Sequence, residues 1–142
     1  MAKKEGLKQQ VLEALTQDSR TSCRSMAERF SASTTTVSKV VKGLEEEGII
    51  IGYNCQVDWH KLGYDSMMCL QIATAKGADL EKIGKALKRL PAIKQVFYIM
   101  GDTTYAAYAV CKDHQEAAQV LEDIRKISGV EKVVSHVVLK VF

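Results

Sequence analysis

The sequence predicts an α+β chain in two parts. An N-terminal helix-turn-helix domain, winged-helix-like, is expected over residues 1–52 and a C-terminal ferredoxin-like βαββαβ domain over 66–142, with a linker at 53–65. Three observations predict this. Apolar residues up to position 50 recur at helical spacing and are broken by two short polar turns. After position 66, strand-like runs alternate with amphipathic helical ones in the order β-α-β-β-α-β. The segment between, "IIIGYNCQVDWHKLGYD", is strand-like with glycine near both ends and reads as a hairpin-like connector.

The first helix carries Leu7, Val11, Leu12 and Leu15 on one face, and "QDSRTS" ends its pattern. Ser22 is an expected N-cap for a short second helix with Met26, Ala27 and Phe30 inward. Residues 31–33 form the turn. Ser33 is an expected cap for a third helix with Val37, Val41 and Leu44 inward, and Gly48 stands where a left-handed C-terminal glycine belongs. In the second part, strands are expected at 66–75, 95–100, 104–111 and 132–142. Helices are expected over 79–90, from Leu80, Ile83, Leu87 and Leu90, and after Asp113. Asp113 and Glu116 make a D-x-x-E capping box ahead of Val120, Leu121, Ile124 and Ile127, and Gly129 ends that helix. Both faces of strands 95–100 and 104–111 are apolar, and two helices cover only one face of a sheet. The other is expected to be an interface.

Composition narrows the function classes. No apolar run reaches membrane-spanning length, and "MAKKEG" leads into polar residues, not into a signal-peptide core. The four cysteines (Cys23, Cys55, Cys69, Cys111) contain no C-x-x-C pair. They read as reduced thiols in a cytoplasmic protein. The histidines His60, His114 and His136 show no ligand spacing, so no metal and no cofactor is expected.

The stretch "STTTVSKVVKGLEEEG" points to DNA. In a helix-turn-helix the N-terminal residues of the second helix meet base edges in the major groove. A threonine methyl can read a thymine methyl, and hydroxyls serve bases or phosphates. With Val37, Val41 and Leu44 inward, Thr35, Ser38, Lys39 and Lys42 face outward together. Free N–H groups over Ser33, Thr34, Thr35 and Thr36 suit a phosphate. Residues 1–52 nearly balance, eight basic against seven acidic, yet 20–42 hold Arg20, Arg24, Arg29, Lys39 and Lys42 against Glu28 alone. The acid is displaced to Glu45, Glu46 and Glu47, at the helix end away from the expected DNA face.

Nearly the whole chain resembles the leucine-responsive regulatory protein family (Lrp/AsnC, feast/famine regulators). "DSRTSCRSMAERF" is similar to the family's first turn and second helix. "STTTVSKVVKGLEEEGIIIGYNCQVDWHKLGY" is similar to its recognition helix and linker. "VFYIMGDTTY" resembles the strand and G-D turn of its effector domain, and "ISGVEKVVSHVVL" its closing strand. The resemblance implies a DNA reader joined to an effector-binding RAM domain. It also implies dimers that assemble further, commonly to octamers, and control by small ligands such as amino acids. It places an effector site at Gly101, Asp102, Thr103, Thr104 and Tyr105. Three positions depart from the family pattern. Ser31 replaces a frequent turn glycine, "VSKVV" replaces an arginine-richer run, and Thr104 replaces the second acid of G-D-x-D. Two other functions are weighed: an effector-independent protein that wraps DNA, and a tetrapyrrole decarboxylase of the kind some relatives are, which needs His60 or His136 at a cavity.

Overall fold

The computed structural model describes residues 2–141, with the side chains of 2–4 left aside. The chain divides after Val57 into two compact units, each described by itself.

The first unit holds α1 (Ala2–Gln17), α2 (Cys23–Arg29) and α3 (Thr34–Glu46). Its core is Val11, Ala14, Met26, Ala27, Val37 and Leu44, all buried. Phe30, Val40 and Val41 pack half-buried against it. Local signals set the boundaries. Ser22 Oγ accepts from Ser25 N–H at 3.1 Å, and Ser33 Oγ from Thr36 N–H at 3.1 Å, so both expected caps are made. Gly48 takes φ +68. Around it Ile49 N–H reaches Leu44 O and Gly48 N–H reaches Glu45 O, which is a Schellman close. The first helix starts at Ala2, earlier than its apolar repeat at Leu7 marked.

The turn between α2 and α3 also closes in Schellman fashion, with Ala32 N–H on Ala27 O at 2.9 Å. The left-handed residue is Ser31, φ +52, the one non-glycine with positive φ among the described residues. The turn therefore keeps a glycine-type conformation without glycine.

The connector at 49–65 is not a hairpin. No residue of it is in a strand; it runs without regular structure to a 3₁₀ turn at His60–Leu62. Its β-branched start, Ile49 to Ile51, finds no pairing strand within its unit, and Ile51 stands 96% exposed. Strand propensity without a partner makes no strand.

The second unit holds β1 (Ser66–Thr74), α4 (Leu80–Lys88), β2 (Ile93–Tyr98), β3 (Tyr105–Cys111), α5 (His114–Arg125) and β4 (Val130–Val137). This is the expected βαββαβ order, as one antiparallel sheet ordered β2-β3-β1-β4. Two strands are displaced from expectation. The second begins at Ile93 and ends at Tyr98, and the last stops at Val137, although Val138 N–H still bonds Met67 O. Met68, Leu70, Ile72, Tyr105, Ala107 and Ala109 bury one face against Ile83 and Leu87 of α4 and Val120 and Ile124 of α5. Asp113 caps α5 through Glu116 N–H at 2.8 Å, while the Glu116 carboxylate reaches back to Lys112 N–H, one residue before the cap. Gly129 takes φ +94, and a Cβ there would lie 3.0 Å from both Ala78 Cβ and Ile83 Cδ1.

The other sheet face is more mixed than expected. Register places Phe97, Ala106, Tyr108 and Val110 on it, but also Gln71, Gln95, Lys132 and His136. Met67 and Val110 are buried there, and Tyr108 donates its hydroxyl hydrogen to Met67 Sδ at 3.0 Å. Phe97 is half exposed.

Candidate nucleic-acid interface and effector turn

α3 is amphipathic because its apolar residues recur three and four apart. Val37 and Leu44 are fully buried, with Val40 and Val41 flanking. The opposite face then carries Thr35, Ser38, Lys39 and Lys42, all exposed. The side chains of Thr34, Thr35, Ser38 and Lys39 have no hydrogen-bond or ion-pair partner among the described residues. They stand free for an external ligand on the first two turns of the helix.

Ser33 and Thr36 differ. Ser33 Oγ caps the helix and lies 2.7 Å from Thr36 Oγ1, so both hydroxyls are engaged within the chain. Their contribution is to order the first turn. The cap satisfies Thr36 N–H, and Val37 N–H bonds Ser33 O. The N–H groups of Thr34 and Thr35 stay open at the positive end of the helix dipole, a geometry suited to phosphate.

The remaining cations are held loosely. Arg24 Nε lies 3.2 Å from Glu28, and Lys42 Nζ 3.7 Å from Glu46, both exposed i, i+4 pairs. Such pairs contribute little and yield to a stronger anion. Arg20 precedes α2, where its own N–H bonds Asp18 Oδ1. Arg29 lies over the Phe30 ring at 5.5 Å. The glutamates at the far end of α3 have local partners: Glu45 accepts from Tyr53 Oη–H at 2.7 Å, and Glu47 pairs with Lys8 of α1 at 2.5 Å. The Glu45 bond raises the Tyr53 pKa above the usual tyrosine value by favouring its neutral form.

In the second unit, residues 99–104 join β2 to β3. Ile99 N–H bonds Thr104 O, and Thr104 N–H bonds Ile72 O, both at 2.9 Å. Gly101 takes φ +151, a conformation that favours glycine. Beside this loop lies an open cleft of about 710 Å³. Gly101, Thr103 and Thr104 line it from one side, and Thr74, Lys76 and Leu80 from the other. Thr104 Oγ1 lies 2.9 Å from Thr74 Oγ1. Asp102 is exposed and outside the lining, with no partner among the described residues. Tyr105 points inward: it is buried, donates to Leu80 O, and packs against Tyr98 at 5.7 Å between ring centres. Burial raises its pKa. Lys76 was not foreseen, because a lone lysine in a "KGAD" turn carries no motif.

His60 sits in the 3₁₀ turn, 3.6 Å from Asp65, and His136 on β4 opposite Cys69. Both are exposed, and neither lines the cleft. Among the described residues no group of three or more His, Cys, Asp or Glu is placed to hold a metal. No helix there is long and apolar enough to cross a membrane.

Comparison with known proteins supplies the family. The Lrp/AsnC ligand binding domain matches residues 67–142, and a winged helix-turn-helix DNA-binding domain matches 5–51. The HTH-type transcriptional regulator LrpA of Pyrococcus horikoshii is 32% identical over 131 residues, 92% of each chain. LrpC of Bacillus subtilis is 34% identical, over 90% of this chain and 86% of its own. The solved B. subtilis LrpC structure superposes with a TM-score of 0.77 over 96% of this chain and 94% of that one, at 26% identity. A Neisseria meningitidis transcriptional regulator solved as an L-Met complex shares the fold, with a TM-score of 0.82 at 22% identity over 94% of this chain and 88% of that one. The chain belongs to the Lrp/AsnC family, and it is a DNA-binding transcription regulator, not an enzyme.

Proposed function

We propose that this regulator acts as a self-associating reader of double-stranded DNA, whose output is set by a small polar ligand. The observation that carries the DNA half is the free strip Thr35–Ser38–Lys39 on the first two turns of α3, with Thr34 and Lys42 beside it. Arg20 and Arg24 supply backbone contacts, and Ser33 and Thr36 hold the helix start in shape. As a DNA reader it works in the cytoplasm, where the DNA is.

Self-association is supported by exposed apolar side chains in the second unit: Phe97, Met100, Val137, Leu139 and Val141. A dimer places two recognition helices about one DNA turn apart, roughly 34 Å or a multiple, on a pseudo-palindromic site; dimers assembling further, to octamers, extend that footprint. Ligand control is supported by the cleft beside residues 101–104, of a size ordinary for a small-molecule site. The L-Met in the Neisseria relative's structure supports a ligand of amino-acid size. Gly101, Thr103 and Thr104 are its proposed contacts, with Asp102 at the rim and Tyr105 as support from behind. Genomic footprinting with sedimentation, with and without added ligand, tests the whole reading. A two-fold footprint from an oligomer is expected. A footprint without two-fold character, or a monomer binding as tightly, contradicts it.

A second reading, an effector-independent DNA organiser, is favoured by one observation: the G-D turn carries Asp102 alone, with Thr104 where a second acid would stand. Under that reading no small ligand changes the footprint.

A further inference from the structure

Of the three threonines that open α3, one is accounted for within the chain. Thr36 Oγ1 lies 2.7 Å from Ser33 Oγ, and Thr36 N–H makes the cap bond. Thr34 and Thr35 cap nothing, are not in the core, and have no side-chain partner among the described residues. Threonine is also a poorer helix former than alanine, lysine or glutamine. Local stability therefore gives no reason for either. Their positions differ. Val37 and Leu44, both fully buried, mark the inward line of α3. Thr34 falls seven residues before the half-buried Val41, at the flank of that line. Thr35 falls on the opposite side, in line with Lys39 and Lys42, and all three are exposed.

The side-chain types of the outward strip limit which bases it reads. Residues 34–42 hold threonine, serine and lysine as their polar side chains, with no asparagine or glutamine for adenine, no carboxylate for the cytosine amine and no arginine for guanine. Lysine serves guanine or phosphate, and a hydroxyl serves any base. The one base-specific contact left is a threonine methyl on the thymine methyl. Phosphate is served at this helix end by other groups, the open N–H groups of Thr34 and Thr35 and the lysines. The Thr35 side chain is thereby left for a base edge. No helical carbonyl three or four residues back competes for its hydroxyl, because α3 starts at Thr34.

We infer that Thr35 is the specificity-determining residue for one thymine in each half-site, its Cγ2 methyl packed on the C5 methyl of that base in the major groove. The inference rests on the proposal that α3 reads double-stranded DNA. β-Branching restricts the Thr35 side chain to few rotamers, so the contact orders little that was free. Lys39 stands four residues on, about 6 Å along the helix axis. It meets a different base pair or its phosphate, so the two contributions are separable.

The test is a thymine-to-uracil scan. Sites are first selected from a random duplex pool with the full chain. Each thymidine of a selected duplex is then replaced by deoxyuridine, which removes the C5 methyl and keeps every hydrogen-bonding group. Affinity is measured by fluorescence anisotropy at fixed salt. One thymine per half-site is expected to lose about fourfold, the worth of one buried methyl. In a double-mutant cycle, Thr35→Ser should weaken binding to the thymine duplex by a similar factor and remove the thymine–uracil difference. Thr35→Val, which keeps the methyl, should retain that difference. Thermal unfolding of each variant checks that the fold is kept. A difference that survives Thr35→Ser comes from DNA shape or another residue and overturns the assignment to Thr35. No thymine–uracil difference at any position, with binding still weakened by Lys39→Ala, overturns the thymine contact and leaves α3 as the recognition helix. Binding that neither Lys39→Ala nor either substitution of Thr35 changes overturns the recognition-helix reading and the inference with it.

Discussion

Two threonine clusters sit in the two candidate sites, and they are built differently. Thr34 and Thr35 stand on the first turn of α3, exposed, with side chains free of the protein. Thr104 is half-buried at a strand entrance, its hydroxyl paired with Thr74 and its amide bonded to Ile72 O. The first site is an outward helix face above a finished core. Its side chains can change without touching Val37 or Leu44. The second is a cleft walled by loop backbone, and its shape depends on how Gly77, φ +81, and Gly101, φ +151, are held. Substitutions should therefore separate binding from folding in the first unit and couple them in the second.

The largest expected effect tests that coupling. Gly129→Ala combines a positive φ with 3.0 Å contacts to Ala78 and Ile83, and Ala78 lines the cleft. A loss of about 2–4 kcal/mol in the second unit is expected from strain plus overpacking. Ligand binding at the cleft should weaken with it, while DNA contacts on α3 keep their pattern. Denaturant unfolding and footprinting of the one variant measure both. A stable variant with an intact cleft would break the comparison.

Ser33→Ala comes next. It removes the α3 cap and should cost about 1 kcal/mol. It also frees Thr36 and loosens the first turn, so DNA affinity should fall although Ser33 itself has no proposed base contact. Thr36→Val, which keeps the Ser33 cap bond to Thr36 N–H, should affect DNA binding less. Equal effects of the two variants would give Ser33 a role beyond capping.

Smaller, and opposite in sign, is Ser31→Gly. Ser31 sits at φ +52, which a side chain resists. Glycine should stabilise the first unit by about 0.5–1 kcal/mol, strain relief outweighing the added freedom of the unfolded chain. A lowered unfolding midpoint would mean that the serine side chain supports the turn.

How much was legible in the sequence follows the same division. Ser22, Ser33, Gly48 and Asp113 act through local chemistry, a hydroxyl or carboxylate on a nearby N–H or a φ that glycine favours, and each is found in its expected place; Gly129 does not end α5, which stops at Arg125, but takes its positive φ in the turn just before β4. The buried faces of α3, α4 and α5 followed from spacing. What was not legible depends on partners distant in sequence. The run Ile49–Ile51 has every local mark of a strand and no strand to pair with. Tyr105 resembled a ligand contact and is turned into the core, because its parity on β3 matches Ala107 and Ala109. Lys76 reaches the cleft only because the turn after β1 folds beside the turn after β2.

The smallest expected effect is alkaline. Glu45 holds Tyr53 protonated, and burial holds Tyr105 and Tyr108 protonated, so each has a raised pKa. The folded chain then keeps protons that the unfolded chain releases. Their contribution is constant below the ordinary tyrosine pKa near 10 and is lost as pH rises from there through the raised folded values. Tyrosinate absorbance should rise in the folded protein at higher pH than in denaturant, and Glu45→Gln should lower the Tyr53 step alone. Coincident titrations in the two states would remove these bonds from the account.

The central claim is that α3 reads DNA with its free outward strip, and Lys39 tests it most directly. Lys39 lies in that strip, whereas Lys132 is an exposed lysine of β4 in the other unit. DNA affinity should be measured as a function of salt for Lys39→Ala and Lys132→Ala. Lys39→Ala should weaken binding by more. If Lys39 meets phosphate, affinity falls for all sequences and the salt slope drops by about one. If it meets guanine, discrimination at one base pair falls by roughly 1–3 kcal/mol. Affinity, salt slope and base preference all unchanged in Lys39→Ala, or matched by Lys132→Ala, would contradict the assignment of α3 as the recognition helix.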